Sequence, residues 1–78
     1  MSKEPTLLDK LIVAMDAAED NSSPKRRIEI VLSEGCMIAR ATDTNGRRAD
    51  RRISLDMLDS AAWEYIARDI VEQAVAAL

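Results

Sequence analysis

Between residues 25 and 54 the apolar residues recur at every second position, and this period constrains the fold more than any other feature of the sequence. Ile28, Ile30 and Leu32 alternate with charged or smaller residues, as in a strand that buries one face. Glu34 and Gly35 follow and supply a two-residue turn. We therefore predict strands over about 26–33 and 36–43, whose apolar residues share one face as the pairs Ile28–Ala41, Ile30–Ala39 and Leu32–Met37.

The next turn, at residues 44–46, determines which way the third strand faces. A three-residue loop with Gly46 in the left-handed conformation forms a type I turn with a G1 bulge. This three-residue loop predicts a third strand over about 47–53, with Ala49, Arg51 and Ile53 on the apolar face. A two-residue Asn-Gly turn would instead put Asp50 and Arg52 on that face. Because a slip of one residue inverts every side chain, we predict the bulged register.

Helical spacing replaces this alternation on both sides of the predicted sheet. A helix over about 6–20 has one apolar face, and a Thr6–Asp9 capping box precedes it. The residues that share this face are Leu8, Leu11, Met15 and Ala18. A second helix is predicted over about 55–77, capped by Ser54 or a neighbour, with apolar residues over roughly half of its circumference.

The order of these elements predicts one small α+β domain over residues 1–78. It is a two-layer α-β-β-β-α arrangement, in which both helices pack on one face of a three-stranded antiparallel meander. The chain has one Trp, one Tyr and no Phe, so its core must be aliphatic. No remaining segment covers the other face of the sheet, which we call the open face.

The composition argues against several chemistries. The chain has no histidine and one cysteine, Cys36, so it lacks nucleophile–histidine pairs, an intrachain disulfide and a cysteine-based zinc site. We expect no catalytic residues, cofactor or metal, and therefore no enzyme. We expect no membrane segment either, since no apolar run approaches a span in length. The single cysteine and the absence of an N-terminal apolar h-region fit a cytoplasmic protein.

The net charge of −3 conceals a strong separation of charge. Residues 25–54 contain eight basic and four acidic residues, a net charge of +4, whereas the rest has three basic and ten acidic residues, a net charge of −7. The predicted sheet is therefore basic and the helical layer acidic.

The bulged register sorts the arginines into two groups. Arg47 and Arg51 fall on the helix side, where Arg51 must reach solvent at the sheet edge or meet an acid such as Asp16 or Glu19. On the open face, the middle row of charges alternates in sign, and Val31 and Ile38 are expected to be exposed beside Arg52. Arginines around an apolar spot are typical of protein-binding surfaces. The candidate partner-binding residues are Arg27, Val31, Ile38, Arg40, Arg48 and Arg52.

Two other interpretations of the arginines stay open. Charges on both faces of a short edge strand can simply guard it against unwanted pairing. They can also contact phosphates, and the element order is similar to that of double-stranded-RNA-binding domains. Those domains use basic residues at the start of the last helix, where this chain has Asp56 and Asp59. Stacking aromatics, which sheet-surface RNA readers need, are absent from residues 25–54.

These observations favour a small non-enzymatic protein-binding module, an inhibitor or adaptor. In size and composition it resembles small phage or mobile-element inhibitors of host machinery. The alternative is a nucleic-acid-associated protein. We also expect a homodimer, because the apolar flank of the second helix is wider than the sheet can cover. The candidate dimer contacts are Val71, Val75 and Leu78, although the first helix could cover the same flank.

Overall fold

A computed structural model describes residues 4–78 and confirms the predicted α+β class. Helix α1 (Leu7–Asn21) is followed by strands β1 (Arg26–Ser33), β2 (Cys36–Asp43) and β3 (Arg48–Ser54). A short 3-10 helix (Leu55–Leu58) then leads into helix α2 (Trp63–Ala76). Residues 1–3 of the predicted domain lie outside the described residues.

The sheet has the strand order β1-β2-β3, and both predicted registers are confirmed. Glu34 and Gly35 both have positive φ angles, 49° and 75°, as a two-residue type I′ turn requires. Ala39 lies opposite Ile30 on one side and opposite Arg51 on the other. Every second residue of the meander therefore faces the helices.

The second turn is the bulged one. Gly46 is left-handed with φ 84°, and the Asp43 amide donates to the Arg47 carbonyl at 3.0 Å. The Asp43 carboxylate accepts from the backbone amides of Asn45 and Arg47, each at 2.9 Å, and from Arg47 Nε at 2.7 Å. One carboxylate thus fixes the loop, and the loop sets the register of β3.

The core lies between the sheet and the two helices and consists largely of small residues. Helix α1 lies over β1, α2 lies over β2 and β3, and the helices contact each other. Both helices and β2 contribute alanines to this core, and small side chains let packed elements approach closely. The buried residues are Ala14, Ala17, Ala18, Ile28, Met37, Ala39, Ala41, Leu58, Ala67, Ile70, Val71 and Ala74.

The buried face of α1 overlaps the predicted one only in part, at Ala18 and at Leu11. Leu8 and Met15 are exposed and Leu11 is only half-buried, whereas Ala14, Ala17 and Ala18 are buried. The alanine face is the buried one because its small side chains let α1 approach both α2 and β1. Lys10 lies on this face as well, and its Nζ donates to Asp59 Oδ1 at 3.0 Å at the rim of the core.

The predicted second helix over 55–77 is two helices rather than one. The 3-10 helix at residues 55–58 is capped by Ser54, whose Oγ accepts from the Asp56 amide at 3.2 Å. Ser60 Oγ accepts from the Ala62 amide at 3.2 Å, and α2 begins only at Trp63. Short polar side chains that bond the nearby backbone compete with a continuous helix, which explains the interruption.

The Gly46 turn provides a test of the register. We expect Gly46→Ala to cost about 1–2 kcal/mol of stability, because a left-handed backbone crowds a Cβ. Gly46→Asn should cost less, since asparagine tolerates this conformation. No atom lies within 4 Å of the added Cβ, so steric overlap with neighbours does not contribute. Urea denaturation measures both variants, and equal losses for the two would contradict this account.

Candidate functional site

The open face of the sheet carries three cross-strand rows of side chains, as the bulged register predicts. The first row contains Arg27, Thr42 and Arg48. The middle row contains Glu29, Arg40 and Asp50, and the last row contains Val31, Ile38 and Arg52. The six predicted partner-binding residues therefore do lie on one face.

Asp50 organises the arginines at the centre of this face. Its Oδ1 accepts from Arg40 Nε at 3.2 Å, and its Oδ2 accepts from Arg48 Nη2 at 3.2 Å. Both partners of the Arg40 pair are partly shielded, with side chains 31% and 35% exposed. One carboxylate thus holds two guanidinium groups from neighbouring strands in defined positions.

This arrangement lowers the pKa of Asp50. Desolvation by burial raises the pKa, but the hydrogen bond and charge of Arg40 and the charge of Arg48 outweigh it, so the pKa lies below its ordinary value of 3.8. The pKa of Asp43 is also lowered: desolvation raises it, while the hydrogen bonds from Arg47 and Asn45 lower it by more. Both carboxyl groups therefore favour the charged form.

Two other arginines of the face are less constrained. Arg27 Nη1 lies 3.8 Å from Glu29 Oε1, and the Arg27 side chain is largely exposed. Arg52 is exposed, and among residues 4–78 no carboxylate lies within 4.0 Å of its guanidinium group. Both side chains are therefore accessible to solvent.

The expected apolar spot beside Arg52 is smaller than predicted. Ile38 was expected to be exposed, but it is only 8% exposed. It lies on the central strand, where Val31 and Arg52 flank it from both sides, and an arginine stem covers apolar surface well. Val31 is half-buried and keeps part of its surface accessible. The accessible apolar contact of this row is therefore Val31, with Ile38 beneath its neighbours.

The two remaining arginines of the third strand do not join this surface. Arg47 binds Asp43 in the turn. Arg51 lies opposite Ala39, is exposed, and donates through Nη1 to the Asp50 carbonyl at 3.0 Å. It reaches solvent at the sheet edge, as one of the two predicted alternatives requires, and forms no ion pair with Asp16 or Glu19.

Within the flank of α2 that is predicted to form a dimer contact, Val71 belongs to the core of the single chain. Val71 has 0% of its surface exposed, and Val75 and Leu78 are half-buried against the core cluster. Helix α1 packs on α2, which agrees with the alternative that α1 covers part of this flank. Burial of Val71 within one chain excludes it as a contact between chains.

The sequence analysis missed a different apolar surface. Leu8, Ile12 and Met15 are exposed on α1 at spacings of four and three residues. The signal was present as Ala14 and Ala17, which together with Ala18 of the predicted face define a rotated face suited to close packing. Lys10 was also missed: it is buried, and it lines a groove together with Leu58, Asp59 and Trp63 among others.

Comparisons of the chain with protein-family models, curated proteins and solved structures found no match. Within residues 4–78, no three histidine, cysteine, aspartate or glutamate side chains are grouped so that they could hold a metal ion. No helix in the same range has the length and apolar character needed to cross a membrane.

The lowered pKa of Asp50 predicts a pH-dependent contribution to stability. Its folded pKa lies below the unfolded one, so its stabilisation is present above the unfolded value and is lost as pH falls through the folded value. Asp50→Asn should therefore lose less stability than the parent between about pH 5 and pH 2. Thermal unfolding across this range measures it, with Glu72→Gln as a control for loss of an exposed carboxylate. Parallel curves for the parent and Asp50→Asn would contradict the prediction.

Proposed function

We propose that this chain is a small non-enzymatic protein-binding module that acts as an inhibitor or adaptor through the open face of its sheet. The observation that carries the proposal is the Arg40–Asp50–Arg48 cluster, which holds two guanidinium groups on a rigid surface. Groups held before binding lose less conformational entropy when a partner docks. Arginine is also among the residues that most often dominate binding energy at protein interfaces.

The spacing of the arginines indicates what the partner must present. Arg27 and Arg48 lie on the two outer strands of one row, about 10 Å apart, because neighbouring strands are about 4.8 Å apart. Arg52 lies four residues beyond Arg48 on the same strand, about 13 Å away. A partner that fits carries acidic side chains at comparable separations and an apolar residue that contacts Val31.

The mixture of charges favours protein over nucleic acid. Glu29 and Asp50 lie in the middle row, between Arg27 and Arg48 at one end and Arg52 at the other. A phosphate backbone would be repelled by these carboxylates, whereas a protein surface of mixed charge can complement both signs. The four arginines of the open face nevertheless support phosphate contact as the alternative function.

Substitution on the open face tests the proposal. The partner is first captured from the native host with the tagged parent protein and identified by mass spectrometry. Val31→Glu and Arg52→Glu should each weaken binding to that partner by at least tenfold in calorimetry, while the far-UV circular dichroism stays unchanged. Both sites retain solvent access, which Ile38 lacks, so the fold should tolerate these substitutions.

Arg68→Glu is the matched control, since Arg68 is an exposed arginine on α2 and the substitution changes the charge equally. It should bind the partner like the parent. If Val31→Glu and Arg52→Glu also bind like the parent, the open face is not the binding site.

Salt dependence separates the two candidate functions. A phosphate-binding face should bind generic duplex DNA or RNA at low salt and lose affinity steeply between about 50 and 200 mM salt. We expect no such binding from a protein-binding face with two central carboxylates. Fluorescence anisotropy with labelled duplexes measures it. Steep, Arg52-dependent binding would favour the alternative function.

A further inference from the structure

Strand β3 forms one edge of the sheet, and alternate residues of its backbone point away from β2. Before the strand, the Asp43 amide donates to the Arg47 carbonyl at 3.0 Å, and just beyond it the Leu55 amide donates to the Gly35 carbonyl at 2.9 Å. In an antiparallel strand, residues that bond the neighbouring strand alternate with residues that bond outward. Both bonds to the β2 side come from odd-numbered positions of this segment. The outward residues are therefore the even-numbered ones, Arg48, Asp50 and Arg52.

These outward backbone groups are open to a further strand. Among the described residues no other segment bonds the backbone of Arg48 or Arg52 on this side. The Asp50 carbonyl accepts from the side chain of the next residue, Arg51 Nη1, at 3.0 Å. That side chain is exposed, so an incoming amide can take its place while the guanidinium turns to another acceptor. Each outward residue thus offers one amide and one carbonyl, and successive outward residues lie about 7 Å apart.

The side chains along this edge are mostly arginines, and they lie on both faces of the strand. Residues 47–54 contain four arginines and one aspartate, a net charge of +3. Arg47 and Arg48 each pair with an aspartate of this chain. Arg51 and Arg52 are exposed, and in the described part of the chain no carboxylate lies within 4.0 Å of either guanidinium group. These two arginines flank the outward backbone, one on the helix side and one on the open face.

The sign of these charges determines which strands can pair with β3. Basic side chains repel a strand of the same sign, and they are left without partners under an apolar strand. A second copy of β3 is disfavoured, since two copies would bring eight arginines and only two aspartates together in any register. A strand with acidic side chains is attracted instead. The charges therefore protect the edge selectively, and they leave it open to acidic strands.

The outward backbone groups favour a polypeptide over a phosphate backbone. Phosphate oxygens accept hydrogen bonds and donate none, so the outward carbonyls of Arg48 and Arg52 would stay without a donor. An added strand supplies both an acceptor and a donor to each outward residue. Asp50 lies between these two arginines on the open face and would repel a phosphate, whereas a basic side chain of a peptide complements it.

We propose that an extended acidic segment of a partner protein adds to β3 as a fourth, antiparallel strand. This inference rests on the proposed function, because Arg48 and Arg52 belong to the open face, and it names the class of partner. Antiparallel pairing sets side chains directly opposite each other. The segment therefore carries acidic residues at positions i, i+1 and i+4, which face Arg52, Arg51 and Arg48 in turn, and a basic or polar residue at i+2, which faces Asp50. Main-chain hydrogen bonds supply the affinity and these side chains the specificity.

A synthetic peptide tests this charge pattern. The probe is TVEEKVET with both ends blocked, in which the three glutamates face the three arginines and the lysine faces Asp50. The control peptide, TVEKEVET, has the same composition and net charge but exchanges the central glutamate and lysine. Calorimetry should show binding of the probe and about tenfold weaker binding of the control, because the exchange sets like charges opposite each other at Arg51 and Asp50. Equal affinities overturn the proposal, as does a probe that does not bind at millimolar concentration.

Arg51 distinguishes strand addition from docking on the open face, because it borders the edge but lies on the helix side. Arg51→Glu should weaken binding of the probe about tenfold, and Arg68→Glu, which changes an exposed arginine on α2, should bind it like the parent. If Arg52→Glu weakens binding and Arg51→Glu does not, the peptide lies on the open face. Strand addition is then wrong, while the proposed function is not contradicted. If neither variant weakens binding, strand addition is also wrong, and the captured partner decides the open face separately.

Hydrogen exchange locates the added strand without any substitution. The amides of Arg48, Asp50 and Arg52 should gain protection when the probe is added, whereas those of Ala49 and Arg51, which bond β2, should be protected throughout. Binding without this gain places the peptide on a face of the sheet and overturns the proposal. A single-stranded oligonucleotide of the same length that binds where the peptide does not would assign the arginines to phosphate, which overturns it as well.

Discussion

The hydrogen bonds of the Asp43 carboxylate in the second turn determine how the rest of the molecule is arranged. They hold a loop in which Gly46 adopts a conformation that other residues resist, and this loop adds the bulge residue that sets the parity of β3. With opposite parity, Asp50 and Arg52 would face the helices, and burying them would be costly. The same turn therefore keeps the core apolar and places Arg48 and Arg52 on the open face.

The second governing constraint is the use of alanine where the layers meet. Ala39 and Ala41 on β2 share one core with the buried alanines of both helices, and small side chains let packed elements approach closely. On α1 the buried alanines occupy the side that packs against the rest of the chain. This explains why α1 turns Leu8 and Met15 outward, and why an aliphatic chain without phenylalanine still exposes large apolar residues. This exposure is a consequence of the packing and not a separate feature.

The sequence predicted the features that local signals decide and failed where packing decides. The strands, both turns and the register follow from alternation and from Gly35 and Gly46, which act over a few residues. The buried face of α1 did not follow, because hydrophobicity favours Leu8 and Met15 whereas close approach favours alanine, and only three-dimensional contact decides between them. Ile38 was placed on the correct face, but the cover supplied by Val31 and Arg52 depends on side-chain length and rotamer.

The two edge strands of the sheet differ in the distribution of their charges. β3 is charged, which protects that edge and supplies Arg48 and Arg52 to the open face. β1 ends in an uncharged stretch at residues 30–33, so that end of its edge lacks this protection.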